Sequence, residues 1–359
     1  MGTRTVIPFG PQHPVLPEPV HLDLVMEDEK IVEAIPSLGY VHRGLEKLAA
    51  KKDFNDMVFV SERICGICSF IHSMAYSTAI ENIMKVEVPE RAQYLRVMWA
   101  EMSRVHSHLL WLGLAADALG YESLFMHSWR VREKVLDVIE ETSGGRVIFG
   151  TCKIGGVRRD VDAATLDKTL KMFDDIEVEC QEIVHVFAGD PSVHKRVAGV
   201  GILSKDDAYA LGAVGPVLRA SGVTWDARKL GYAAYGKLEW EPVVETGCDV
   251  PARVLVRAKE IFQSIGLIRQ AIKKMPKGPV EVRVTGNPNG ETIMRVEQPR
   301  GELVYHIQAN GTKNLARFRV RTPTFANIPP LVKMLPGCEL ADVPIIVLSI
   351  DPCISCTER

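Results

Sequence analysis

Two Cys-x-x-Cys pairs stand at opposite ends of this 359-residue chain: Cys65-Gly-Ile-Cys68 and Cys353-Ile-Ser-Cys356. A metal knuckle normally closes over a short loop, but these pairs are separated by most of the sequence. If they serve one centre, the whole fold must carry both ends of the chain to it. Each Cys-x-x-Cys turn presents two sulfurs to one ion, so two turns supply four soft thiolates. That set suits zinc, an iron–sulfur cluster or nickel.

The remaining four cysteines, Cys152, Cys180, Cys248 and Cys338, have no ligand-like spacing and read as small buried apolar residues. The eight together do not form a secreted disulfide framework, which places the paired thiols in a reducing compartment. A net charge of −2 offers no surface for nucleic acid. No apolar run is long enough to cross a membrane, and the N-terminal segment lacks the pattern of a secretory signal. Membrane contact is therefore expected only through partner subunits.

The expected fold is mainly α with small β elements at both ends (α+β), a long-helix bundle with the metal site between the two cysteine loops. Residues 1–359 read as one domain. It comprises a β-hairpin region 1–36, a helical core 40–275 and a β-rich segment 276–359. Alternation in His21–Met26 and Lys30–Glu33 around the turn Glu27-Asp-Glu29 predicts the hairpin. Apolar residues at three- and four-residue spacing predict helices over 70–85, 91–118 and 163–187. Ser123 is the expected cap of a helix running toward Glu141 and stopping at Gly144-Gly145. Ser204 caps a shorter helix, and Pro251 opens another that ends near Lys274. Strands are predicted at Val280–Val284, Leu303–Ile307, Phe318–Arg321 and Pro344–Ile350, the last feeding into Asp351-Pro352-Cys353.

Structural zinc is the plain reading of four thiols, and the flanking residues weigh against it. His72 follows the first pair closely enough to orient a ligand, Glu62 and Arg63 put charge beside the turn, and Asp351-Pro352 fixes the entry to the second.

Arg63-Ile-Cys65-Gly-Ile-Cys68-x3-His72 and Asp351-Pro-Cys353-x2-Cys356-x2-Arg359 together resemble the paired signatures of the nickel–iron hydrogenase large subunit. Gly10-Pro-Gln-His13-Pro and Leu38-Gly-Tyr-Val-His-Arg43-Gly-Leu-Glu46 resemble its membrane-bound, energy-converting (Ech-type) branch. They also resemble the related quinone-site subunit of respiratory complex I, which lacks the four cysteines. The likeness runs over essentially the whole chain.

The resemblance implies that Cys65 and Cys353 are terminal nickel ligands. Cys68 and Cys356 would bridge nickel to an iron carrying CO and two cyanides. It further implies that Glu18 relays the proton and that Arg300 of Pro299-Arg-Gly301 overhangs the open side of the centre. Asp351 would orient Arg300, Thr322-Pro323-Thr324 would cradle a cyanide, and His72 would donate to a bridging sulfur. Asp117 is a further candidate for this outer shell. Glu46 matches a glutamate that in relatives binds magnesium or an accessory iron with a C-terminal histidine. Arginine cannot ligate a cation, so a Glu46–Arg359 ion pair is expected in that site's place.

His106 and His108 lie two apart on a helix and read as separate packing or proton-path residues. Met98, Trp99, Met102, Leu109, Leu110 and Trp111 read as core.

The function implied is reversible reduction of protons to H2. Electrons would come from reduced ferredoxin through an iron–sulfur small subunit, on the cytoplasmic face of antiporter-like integral membrane subunits that translocate ions. Nickel-insertion and maturation proteins would load the site. The alternatives are a non-catalytic connecting subunit shaping a quinone pocket, as in complex I, and a zinc-stabilised interaction protein.

Overall fold

A computed structural model describes residues 4–359. Strands β1 (Arg4–Phe9), β2 (His21–Glu27) and β3 (Lys30–Ser37) form an antiparallel sheet in the order 1-2-3. Leu22, Leu24 and Met26 point inward while Asp23 and Val25 point out, the two-residue period that a half-buried strand requires. The expected hairpin is β2–β3, and β1 adds a third strand along β2.

The helical body follows: α1 (Ser69–Met84), α2 (Glu90–Ala118), α3 (Glu122–Ser143), α4 (Ala163–Gly189) and α5 (Val250–Lys274). Helix α2 is buried around most of its circumference. Trp99 Nε1 ties it to Thr142 of α3 at 3.1 Å, and Trp111 Nε1 ties it to the Leu348 carbonyl at 2.7 Å. The cap of α3 is Tyr121 rather than the expected Ser123, whose side chain makes no capping bond. Gly144, with φ +91, stops the helix as a left-handed terminator. Ser204 accepts from the Asp207 amide as expected, and Asp249 caps α5 with Pro251 in its first turn.

The C-terminal sheet is β4 (Asn289–Gln298), β5 (Gly301–Asn310) and β6 (Leu315–Arg321), antiparallel throughout. Two expectations are corrected here. Val280–Val284 forms no strand; only Glu281 bridges to Gly156, with single bonds from Val157 N to Val280 O and Val282 N to Gly155 O, each 2.9 Å. The missing strand is β4, whose polar sequence hides its alternation. Pro344–Ile350 is helical, not extended: after α6 (Pro323–Met334) comes α7 (Val343–Ser349). A short continuous apolar run fits a buried helix as well as a strand, and Pro344 at its first turn favours the helix. Helix α8 (Ile354–Glu358) closes the chain.

Two large hydrophobic cores result, with a small third cluster of Ala220, Ala252 and Val256. One lies among α1–α5 and the C-terminal sheet; the other lies beneath the N-terminal sheet, against α6 and α7. The four paired cysteines belong to the first, while Ile350 and Ile354 beside the second pair belong to the other. A buried ionic network joins α2 to α5. Arg219 bridges Glu260 (2.7 Å) and Glu297 (2.8 Å), and Arg228 bridges Asp226 (2.8 Å) and Glu101 (3.2 Å). No helix among the described residues is long and apolar enough to cross a membrane.

Candidate metal centre

Each cysteine pair sits where a helix ends and another begins. The first occupies the turn into α1, with Cys68 at the cap position and its amide donating to Cys65 Sγ at 3.2 Å. The second follows the stop of α7. Asp351 adopts φ +54, a left-handed conformation that aspartate tolerates better than most residues, and its amide closes on Leu348 O at 2.7 Å. The chain turns there and Cys353 caps α8.

The fold brings the two turns together. Cys65 Sγ and Cys353 Sγ are 3.6 Å apart, and the sulfurs of Cys65, Cys353 and Cys356 all lie within 4.8 Å of one another. All four thiols are buried. Cys68 Sγ stands outside that trio and accepts from Arg300 Nη1 at 3.4 Å. Arg43 ties the turns directly. Its guanidinium donates to the carbonyls of Arg63 (2.7 Å) and Ile64 (3.0 Å) before the first pair and of Ser355 (2.8 Å) within the second. Glu358 reinforces the tie by accepting from the amides of Gly39 and Val41.

The electrostatics disfavour free thiolates among these sulfurs. The Cys353 thiol is pushed up to about 11. Its contact with Cys356 lowers it, but the contact with Cys65, burial and the charge of Cys65 outweigh that. Burial first, then the neighbouring sulfurs, raises Cys356 well above the ordinary range. A metal ion reverses this balance by taking the sulfurs as thiolates. The donor set therefore fits a soft transition metal, with the Cys68 thiol as a fourth sulfur beside the trio.

Around the sulfurs, Arg300 Nη2 pairs with Asp351 Oδ1 at 2.9 Å and Nε donates to the Asp351 carbonyl at 2.8 Å. Asp351 Oδ2 is buried without a hydrogen-bond partner. His72 Nε2 lies 3.7 Å from Cys356 Sγ, and Nδ1 lies 2.6 Å from the Tyr305 hydroxyl. Burial, then the charges of Arg359 and Arg43, depresses His72 to about 3, so the ring is neutral. The tautomer that donates from Nε2 to the sulfur accepts a hydrogen bond from the Tyr305 hydroxyl at Nδ1. Thr324 Oγ1 accepts from the Cys353 amide at 3.0 Å and keeps its own proton to donate. Thr322 donates to the Cys356 carbonyl at 3.2 Å, and Pro323 opens α6 between them.

Glu18 reaches the same loop from the segment between β1 and β2. Its Oε2 accepts from the amides of Ile354 and of Ser355 (2.8 Å), just past Cys353. Burial, then the charge of Cys353, raises its carboxyl to about 7 against the pull of those amides and Arg300.

Farther out, Arg359 Nε donates to Glu46 Oε1 at 2.9 Å, and Arg319 takes Oε2. Burial alone would raise the Glu46 carboxyl, but the Val320 amide and these two guanidiniums hold it below the ordinary range. Asp117 is exposed at the end of α2 and belongs to no part of this cluster. His106 bonds the Ile67 carbonyl at 3.0 Å, and His108 bonds Glu260 at 2.9 Å. Of the unpaired cysteines, Cys152 and Cys180 are buried, whereas Cys248 and Cys338 are partly exposed. Tyr305 and the bridging role of Arg43 escaped the sequence analysis. Arg43 stood within a quoted motif, but nothing in the spacing told which carbonyls it would meet.

Residues 118–286 and 282–359 match the family described as respiratory-chain NADH dehydrogenase, 49 Kd subunit, and residues 43–116 match nickel-dependent hydrogenase. The chain is 41% identical to the carbon monoxide-induced hydrogenase of Rhodospirillum rubrum, covering 100% of both. It is 38% identical to the membrane-bound hydrogenase subunit alpha of Pyrococcus furiosus, covering 98% of this chain and 87% of that one. Among solved structures it is similar to a chain of the membrane-bound sulfane sulfur reductase, an archaeal respiratory membrane complex. The TM-score is 0.94 at 31% identity, over 99% of this chain and 98% of that one.

Proposed function

The chain belongs to the family that unites nickel-dependent hydrogenases with the 49 kDa subunit of respiratory-chain NADH dehydrogenase, and from that premise we propose that it is the catalytic subunit of a membrane-associated nickel–iron hydrogenase. The observation that carries this reading is the meeting of Cys65, Cys353 and Cys356 within 4.8 Å, with Cys68 beside them under Arg300. These four residues would hold the nickel–iron group. When bound, that group supplies the redox-active, Lewis-acidic site at which H2 is split or made.

The chain's own residues supply the rest. Glu18, anchored on the amides after Cys353 and with a carboxyl near neutrality, takes up and releases the proton. Arg300 is a buried cation beside Cys68, oriented by Asp351, and would stabilise negative charge that develops among the sulfurs. The Arg300 guanidinium and the Thr324 hydroxyl would be donors to any cyanide ligands the group carries. His72 donates to Cys356 and receives from Tyr305, which fixes that sulfur's orientation.

All four paired thiols would be taken up by the nickel–iron group, and we infer that its electrons arrive from another chain. We assign that role to an iron–sulfur small subunit drawing on reduced ferredoxin, on the cytoplasmic face of antiporter-like membrane subunits. H2 release would there be coupled to ion translocation, and the metals would be loaded by nickel-insertion proteins. A second reading, a connecting subunit that shapes a quinone site without metal, is favoured by the match of residues 118–359 to the 49 kDa subunit.

Infrared spectra of the purified complex separate the two. Bands of bound CO and cyanide, with H2 evolved from reduced ferredoxin, support the hydrogenase. A protein without metal bands and without H2 activity, which binds a quinone analogue, would support the connecting subunit.

A further inference from the structure

Arg300 stands in the two-residue turn Pro299-Arg300 between β4 and β5, whose ends Gln298 and Gly301 pair across the hairpin. Neighbouring segments clamp that turn. Arg104 of α2 donates to the carbonyls of Gln298 and Glu297, each at 3.0 Å, and Arg219 holds the Glu297 carboxylate at 2.8 Å. A further contact is backbone on backbone. Gly215 (φ +67) lies against Gly301 (φ +131) so closely that a Cβ at 215 would stand 2.3 Å from Gly301 Cα and 2.5 Å from the Arg300 carbonyl oxygen. A Cβ at 301 would stand 2.8 Å from Gly215 Cα. Asn327 secures the other side, accepting from Val214 N at 3.0 Å and donating to Val214 O at 3.2 Å.

We propose that Gly215 is a positioning residue for the reaction, because this glycine–glycine contact sets where Arg300 stands over Cys68 and Asp351. A methyl group at 215 forces Gly301 back from 2.3 Å to an ordinary contact near 3.4 Å, a movement of ~1 Å. The rigid guanidinium fork makes three bonds, to Cys68 Sγ, Asp351 Oδ1 and Asp351 O, and a displaced root cannot keep all of them. The catalytic consequence rests on the hydrogenase reading; the contact itself does not. Gly212 supplies a control within the same segment: its φ is +66, yet no atom lies within 4 Å of a Cβ placed there. Gly212→Ala therefore carries the backbone strain without the collision.

The test uses the purified complex carrying Gly215→Ala, Gly212→Ala, Arg300→Lys and the Gly215→Ala/Arg300→Lys pair. Gly215→Ala should lower H2 turnover about 100-fold and shift the cyanide infrared bands, with nickel and iron retained. Gly212→Ala should do neither. The pair should be no slower than Arg300→Lys alone, since both changes act through one group. Asn327→Ala, which frees Val214 without adding an atom, should shift the cyanide bands in the same direction. Hydrogen exchange in the full metal-free chain should quicken over residues 298–302 in Gly215→Ala but not in Gly212→Ala. Equal turnover and exchange in the two alanine variants would overturn the proposal, as would effects of Gly215→Ala and Arg300→Lys that multiply. A wild-type complex with neither nickel nor H2 activity would refute the hydrogenase reading instead, and the exchange comparison would then decide the contact by itself.

Discussion

Cys65 and Cys353 are 288 residues apart in sequence and their sulfurs are 3.6 Å apart in space. That meeting turns two short motifs into one site, and helix ends make it possible. Arg43 then bridges the two turns at the level of the main chain.

Glu18→Gln keeps the side chain's shape and removes its proton chemistry. H2 turnover and exchange of deuterium between D2 and water should fall to background while nickel and iron stay at wild-type content. Full exchange activity in the variant would remove Glu18 from the relay.

The same substitution has a pH signature in the metal-free chain. The folded-state carboxyl lies at about 7, above its ordinary 4.5, so the folded protein binds the extra proton between those values. Wild-type stability, measured against Glu18→Gln, should therefore be full below pH 4.5 and decline as pH rises toward 7. Parallel denaturation curves across that window would contradict the raised carboxyl.

Much of this was legible in the sequence, and the rest was not for physical reasons. Spacing alone located α1, α2, α4 and both cysteine turns, because long amphipathic runs and Cys-x-x-Cys leave strong periodic signals. Helix α7 reads as a strand from sequence because a run that is apolar and buried at nearly every position has no period to show. Asp117 was misplaced because only the fold decides that the end of α2 faces solvent. Tyr305, whose hydroxyl orients His72, looks like any inward strand residue until the two meet.

Glu46 is held by Arg359, Arg319 and the Val320 amide, which together satisfy its carboxylate without a cation. Chelation of divalent ions by EDTA should leave the melting temperature and H2 turnover unchanged while nickel and iron remain bound. A clear fall in either would show that a hard cation shares this site.

Glu260 is fully buried and accepts from Arg219 and His108. Glu260→Ala strands these partners without a counter-charge and should destabilise the fold by about 3–5 kcal/mol, read by chemical denaturation. Glu260→Gln, which keeps hydrogen-bonding atoms in place, should be less damaging than the alanine variant. Equal losses would mean that the charge, which both variants remove, dominates there and that the retained hydrogen-bonding atoms contribute nothing.

The most direct measurement is the metal content of the purified complex, counted per copy of this chain, for wild type and Cys65→Ser. The account expects one nickel for each iron held by the four thiols, and loss of the nickel in Cys65→Ser. Zinc alone in the wild type, no metal at all, or nickel retained at full occupancy in Cys65→Ser would contradict it.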